Sequence, residues 1–266
     1  MKKLQKGLFI LMLGLTFTAC GNTTSSLEST SSSNQVTFDV SKNIKVYTRD
    51  TDSGTRDGFF TKIGLKNNVK SNEGLVTDIV TTSGNGDMVL KIKNDEYSIG
   101  YISLSSLEES SLNGLKYDGV EPTEENVLSK TYELTRNFNY ITRVDFDSDE
   151  KKQIVEAYVA YLSTKEAKAT IIANSGIVKI NSTDKSWNDI KANYPICGKD
   201  NSNITIKFGG STSVEKIAKA LSQEFASKCG NFKPEHNHGG SGDAYKFTQG
   251  AEKQSTSKLD NGFLSR

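Results

Sequence analysis

Two short segments carry residue types suited to hold a negative ion. Arg49-Asp50-Thr51-Asp52-Ser53-Gly54-Thr55-Arg56 brings guanidiniums, hydroxyls and a glycine directly before the helix-like Asp57-Gly58-Phe59-Phe60. Gly209-Gly210-Ser211-Thr212-Ser213-Val214 brings more hydroxyls directly before a helix-like run over 215–225. Each reads as strand, then small hydroxyl-rich turn, then helix, a geometry that aims free backbone N–H groups and a positive helix end at an anion. Ser53 and Thr55 offer O–H donors, Gly54 lets the backbone approach closely, and Arg49 or Arg56 can supply a bidentate fork. Thr212 and Ser213 offer matching donors, as does Ser241 in a third turn, Gly239-Gly240-Ser241-Gly242. Taken singly, each turn reads equally as a helix N-cap or a tight turn.

The elements that must position these groups alternate between strand and helix, which predicts an α/β architecture. Ile44-Lys45-Val46-Tyr47-Thr48 reads as a strand entering the first turn, and Ile204-Thr205-Ile206-Lys207-Phe208 as a strand entering the second. Ser98-Ile99-Gly100-Tyr101-Ile102-Ser103-Leu104 and Phe138-Asn139-Tyr140-Ile141-Thr142-Arg143-Val144 read as two more. Capping-box spacing places helix starts at Asp147 with Glu150, Ser163 with Glu166, and Thr212 with Glu215. Ile154, Val155, Tyr158, Val159 and Leu162 form the apolar face of the first, and Val214, Ile217, Ala218, Leu221 and Phe225 that of the last. Residues 181–203, with Trp187 and Tyr194-Pro195, read as a connection.

The ends and the charge bound the function. Lys2, Lys3 and Lys6 precede an apolar stretch over 8–17 that is too short to span a membrane, and Thr18-Ala19-Cys20-Gly21 follows. This pattern resembles a bacterial lipoprotein signal over 1–20 with Cys20 lipidated; the alternative is an ordinary secretory leader. Residues 21–36 are polar and form a flexible tether. Of 33 basic residues three lie in the leader, against 32 acidic ones, so the rest of the chain is near neutral and nucleic acid is not its partner. Cys197 and Cys229 either form a disulfide, closing a loop of about thirty residues and adding about 3 kcal/mol, or remain buried thiols. His236-Asn237-His238 lacks the cysteines and carboxylates of a metal cluster, and no metal or other cofactor is expected.

Several motifs together resemble the periplasmic-type phosphate-binding proteins of ABC importers. The arginine-led Ser-Gly-Thr-Arg loop at 49–59 matches, as do Ser83-Gly84-Asn85-Gly86, Ile99-Gly100-Tyr101-Ile102-Ser103-Leu104 and Asp118-Gly119-Val120-Glu121-Pro122-Thr123 with Asn126. Tyr132-Glu133-Leu134-Thr135-Arg136 with Phe138 continues the match. Gly210-Ser211-Thr212-Ser213-Val214, Gly239-Gly240-Ser241-Gly242 and Asp260-Asn261-Gly262-Phe263-Leu264-Ser265-Arg266 resemble the family's first lobe. The resemblance implies a two-lobed periplasmic-binding-protein-like fold of type II with permuted segment order: a second-lobe-like domain over 37–137, then a first-lobe-like domain over 138–266. It implies a non-enzymatic, lipid-anchored protein on the outer face of the bacterial membrane, which captures inorganic phosphate and hands it to an ABC permease. The ligand groups would be Arg49, Ser53, Gly54 and Thr55 from one lobe and Thr212, Ser213 and Ser241 from the other, with Arg56 as an addition.

The chain departs from the family in three ways. The segment order is reversed; a hinge strand and a helix of the second lobe have no counterpart; and the acidic acceptor of the ligand's proton falls at Arg266 or Thr51. Asp52, beside Thr51, is the candidate acceptor, since a carboxylate left unpaired rejects an unprotonated anion. The absent hinge motivates an alternative: a partial family member acting as a surface interaction or phosphate-sensing protein. Hydrolysis of phosphate esters is a third reading, with the two histidines as the only candidate bases.

Overall fold

The structure, a computed structural model, describes residues 38–265; the leader, Cys20, the tether over 21–36 and Arg266 lie outside that range. The chain first builds β1 (Lys45–Arg49), α1 (Gly54–Lys62), β2 (Val80–Thr82), α2 (Asn85–Lys93), β3 (Ser98–Ile99), α3 (Leu104–Ser110) and α4 (Glu124–Leu128). It then builds β4 (Phe138–Thr142), α5 (Asp149–Tyr161), α6 (Lys165–Ala173), α7 (Trp187–Ile190) and β5 (Thr205–Gly210). The last elements are α8 (Glu215–Lys228), β6 (Lys233–Asn237), α9 (Ser241–Thr248) and β7 (Asn261–Ser265). Contacts group everything from Lys42 onward into one unit.

That unit holds two sheets. One is parallel, in the order β2-β1-β3, with Arg49 opposite Thr82. The other runs β4-β7-β5-β6, with β5 parallel to both neighbours and β4 antiparallel to β7. Both anion turns follow the C-terminal end of a central parallel strand, where such sheets place their ligands.

The larger core lies on the four-stranded sheet. Ile206 and Phe208 are fully buried, alternating along β5 with partly exposed Lys207 as the pleat requires. The α8 stripe of Ile217, Ala218, Leu221 and Phe225 is buried against them, each large side chain contributing about 1.5–3 kcal/mol. Trp187 is buried too, its ring 5.1 Å from Phe225 and 5.8 Å from Tyr194. The 181–203 segment is therefore more than a connection: α7 plugs the core, because an indole recovers much apolar area from one residue. Cys197 and Cys229 are joined by a disulfide beside it. On the three-stranded sheet the buried apolar side chains are fewer, chiefly Tyr47, Phe60 and Met88.

Some element boundaries differ from the sequence reading. The strand beginning at Ser98 ends at Ile99; Ser103 instead caps α3, its Oγ accepting from Ser106 N. Helix starts shift by one residue: Ser148 caps α5 and Thr164 caps α6, not Asp147 and Ser163. Asp147 turns to Lys151 and Lys258, and Glu166 accepts from Trp187 N, so tertiary partners outcompete the local box. Helix α8 starts after Val214 with no side-chain cap, which leaves the hydroxyls of Thr212 and Ser213 for other partners.

Candidate functional site

The two anion turns meet. Thr55, in the first turn of α1, and Ser213, just before α8, share a hydrogen bond of 2.7 Å between their hydroxyls, and both are buried. Asn85, the first residue of α2, donates its Nδ2 to the same Ser213 Oγ at 3.2 Å. Arg49, at the end of β1, is 1% exposed. Its Nη1 donates to Asn85 Oδ1 at 3.2 Å, and its Nη2 donates to Ser83 O at 3.2 Å and to Thr212 Oγ1 at 3.3 Å. Tyr101 fixes the strand end from behind, its hydroxyl accepting from Arg49 N at 3.0 Å and pairing with Thr48 Oγ1 at 2.8 Å.

A second contact joins the same two sides. Gly54 packs directly against Ser241 and Ser265, and a Cβ there would overlap both. Ser241 opens α9, is fully buried, and its Oγ accepts from Ser265 N at 3.0 Å; Ser211 Oγ reaches Ser265 Oγ at 2.9 Å. Gly210 makes the bend between β5 and Ser211 possible: its φ of +103° suits glycine alone. The seam is thus a ring of hydroxyls at the N-termini of α1, α8 and α9, with the Arg49 guanidinium on its rim.

The seam buries a cationic group. Burial pulls the Arg49 pKa below the usual arginine range, with Asp50 opposing that shift at 3.7 Å from Nη2. Arg49 Nε is buried and donates to nothing. The arrangement offers hydroxyl donors, helix N–H groups and a partly unspent guanidinium, the groups that bind a tetrahedral oxyanion. A cleft of about 740 Å³ opens onto Ser83, Asn85 and Thr212, with Lys93, Lys219 and His238 on its walls.

The sequence-derived residues divide as follows. Arg49, Gly54, Thr55, Thr212, Ser213 and Ser241 come together in the seam. Ser53 is the N-cap of α1, its Oγ accepting from Arg56 N at 3.3 Å, though its own O–H remains a donor. Arg56 corrects the expectation of an added ligand arginine. Its N–H groups donate to Thr48 Oγ1, to the carbonyls of Arg49, Asn68, Val69 and Ser71, and to Asn72 Oδ1, so no donor is left for a ligand. It ties the 68–72 loop to β1. Asp52 is also corrected as the proton acceptor: its side chain is 73% exposed and pairs with Lys70 at 3.2 Å. Asp50 is the carboxylate beside Arg49, with Oδ2 shielded and without a hydrogen bond.

The histidines do not form a catalytic base. His236 Nε2 lies 2.8 Å from buried Ser222 Oγ, its Nδ1 lies 3.1 Å from His238 Nε2, and His238 Nδ1 lies 3.1 Å from Ser211 O. Burial, then His238, pushes the His236 pKa down to about 3. The pair stacks between Phe208 and Phe263 and props the Ser211 turn. Among the described residues no group of histidines, cysteines and carboxylates could hold a metal ion. Sequence reasoning missed Asn85 and Arg136 as seam residues. Both lie in motifs that resemble the family, Ser83-Gly84-Asn85-Gly86 and Tyr132-Glu133-Leu134-Thr135-Arg136, but neither motif says which side chain turns inward.

The chain matches no protein-family profile. Over 137 residues it is 30% identical to phosphate-binding protein PstS 2 of Streptococcus agalactiae serotype V, an alignment covering 50% of this chain and 45% of that protein. The chain therefore spans about half the length of that relative. It is 24% identical over 228 residues to phosphate-binding protein PstS 2 of Streptococcus pneumoniae serotype 4, covering 84% of this chain and 70% of that one. A crystal structure of a phosphate ABC transporter phosphate-binding protein from Streptococcus pneumoniae superposes with a TM-score of 0.55 at 23% identity, over 85% of this chain and 79% of that one. The fold is accordingly the two-lobed α/β fold of such binding proteins.

Proposed function

We propose that the chain is an extracytoplasmic solute-binding protein that captures inorganic phosphate between its two sheets and delivers it to an ABC permease. The observation that carries this reading is Arg49: a buried guanidinium spanning Ser83 and Asn85 on one side and Thr212 on the other, beside the bonded hydroxyls of Thr55 and Ser213. Similarity to proteins named for phosphate binding supports it. On binding, the hydroxyls of Thr55 and Ser213 exchange their mutual hydrogen bond for anion oxygens, those of Ser53, Thr212 and Ser241 turn their O–H donors to the anion, and Gly54 brings the α1 N–H groups close. Micromolar binding amounts to about 8 kcal/mol, which a few charge-assisted hydrogen bonds of about 1.5–3 kcal/mol each can supply. Similarity to proteins named for phosphate binding supports a protein that binds without turnover. Lipidation at Cys20 and the tether would hold it at the outer membrane face, within reach of the permease.

Calorimetric titration and thermal melting with inorganic phosphate test the proposal. Micromolar or tighter binding and a raised melting temperature are expected. No heat and no shift on a folded sample would reject it.

A second reading rests on the thin core of the three-stranded sheet, where Leu90, Leu115 and Leu128 are 62%, 65% and 55% exposed. These side chains suit a surface-interaction or phosphate-sensing protein that docks on another chain. Sizing by light scattering separates the two readings: a monomer at micromolar concentration favours the solute binder.

A further inference from the structure

Arg136 is the feature of the seam that the reading above leaves unused. It lies between α4 and β4, and its side chain runs back into the protein. Its Nη2 donates to Ser213 Oγ at 3.0 Å and to Thr55 Oγ1 at 3.2 Å, one hydroxyl from each side. Its Nε is shielded and donates to nothing, and among the described residues no carboxylate pairs with it. Burial, reinforced by the charge of Arg49, pulls its pKa down to about 10, so it stays a cation at neutral pH. A charge taken out of water without a counter-ion is costly, and a fold that tolerates one needs an offset elsewhere. Gly58 adds an independent observation. A Cβ there would fall 2.8 Å from Arg136 Cδ, so α1 carries a helix-weakening glycine where the arginine stem passes.

We propose that Arg136 is a second anion-binding guanidinium, which contacts the same oxyanion as Arg49 through its unspent N–H groups. Two guanidiniums flanking the Thr55–Ser213 pair suit a doubly charged tetrahedral ion, the hydrogen phosphate dianion. The inference rests on the phosphate reading above.

The test compares wild type, Arg136→Gln and Arg136→Lys by titration with inorganic phosphate at mildly alkaline pH, and by melting with and without it. The glutamine variant is expected to lose phosphate affinity by roughly tenfold to a hundredfold. Without phosphate it is expected to melt no lower than wild type, because an uncompensated buried charge has gone. The lysine variant, which keeps the charge, is expected to recover part of the affinity. A glutamine variant that titrates like wild type overturns the assignment of Arg136 and leaves the phosphate reading standing. A glutamine variant whose ligand-free melting temperature falls with its affinity, with no recovery by lysine, marks a structural tether and also overturns the assignment. Wild type that neither titrates nor shifts overturns the phosphate reading, and this inference with it.

Discussion

Replacing Gly54 by alanine probes the closure of the seam with one methyl group. A Cβ at position 54 would lie 2.7 Å from Ser265 Oγ and nearer still to Ser265 O and Ser241 Oγ, whereas ordinary contact begins near 3.4 Å. The closest of them, Ser265 O, is backbone and cannot swing away, and the two serine hydroxyls are short side chains held by hydrogen bonds. Ser265 O belongs to β7, held in register opposite Phe138 of β4, and Ser241 Oγ is fixed by Ser265 N. The start of α1 must therefore withdraw by on the order of 1 Å, and overpacking of this kind costs about 1–3 kcal/mol. Alanine improves helix propensity by at most about 1 kcal/mol relative to glycine, an opposing gain that is smaller at a helix end. The net loss is about 1–2 kcal/mol, and in a chain of this length each kcal/mol lowers the melting temperature by about 2–4 °C. The same withdrawal pulls Thr55 from its 2.7 Å bond with Ser213 and moves the α1 N–H groups away from the anion. Loss of one charge-assisted hydrogen bond, about 1.5–3 kcal/mol, weakens phosphate binding by about tenfold or more. Scanning calorimetry without ligand and titration with phosphate read the two effects separately. A Gly54→Ala protein that melts and binds like wild type would refute both the close approach and the role given to this helix end.

Arg56→Lys is expected to destabilise the protein by about 2–4 kcal/mol in urea, because lysine cannot reproduce the fork that binds the 68–72 carbonyls. Its phosphate affinity, corrected for folded fraction, is expected to match wild type; a further loss would return Arg56 to the site. His236 has a folded pKa of about 3 against 6.5 when unperturbed, so the folded state favours the neutral ring. Its contribution to stability is full above pH 6.5 and declines as the unfolded state takes up its proton below that value. Melting temperatures measured from pH 7 down to pH 4 are expected to fall less steeply for His236→Gln than for wild type. Parallel curves would show that the ring is not a source of the acid sensitivity.

Much of the seam was legible in the chain because its signals are local. A strand followed by Ser-Gly-Thr or Gly-Ser-Thr-Ser and then an apolar stripe is read within ten residues, and α1 and α8 follow those turns. The α8 stripe needed only the helical period to be seen, and Ile206 and Phe208 only the pleat. Where the sequence reading slipped, a distant partner outcompeted a neighbour. Glu166 has the spacing of a capping residue but accepts from Trp187, and Thr212 has the spacing of an N-cap but its hydroxyl accepts from Arg49. The run through Ser103 departs from its strand-like pattern for the opposite reason: the strand stops at Ile99 and Ser103 makes a local helix cap.

The sequence by itself determined the chemistry available: hydroxyls, glycines and arginines set at the ends of strands, and a charge near neutral. Only the tertiary structure decided how that chemistry is allotted. Two arginines seven residues apart, Arg49 and Arg56, look equivalent in the chain. One faces Thr212 across 163 positions, while the other spends its donors on β1 and the loop beside it. Arg136, whose motif gives no sign that its side chain turns inward, reaches the hydroxyls of Thr55 and Ser213. The reason is physical. Local spacing sets backbone conformation through bonds over three or four residues, but a long cationic side chain goes where its donors find acceptors, and those are assembled only when the two sheets come together.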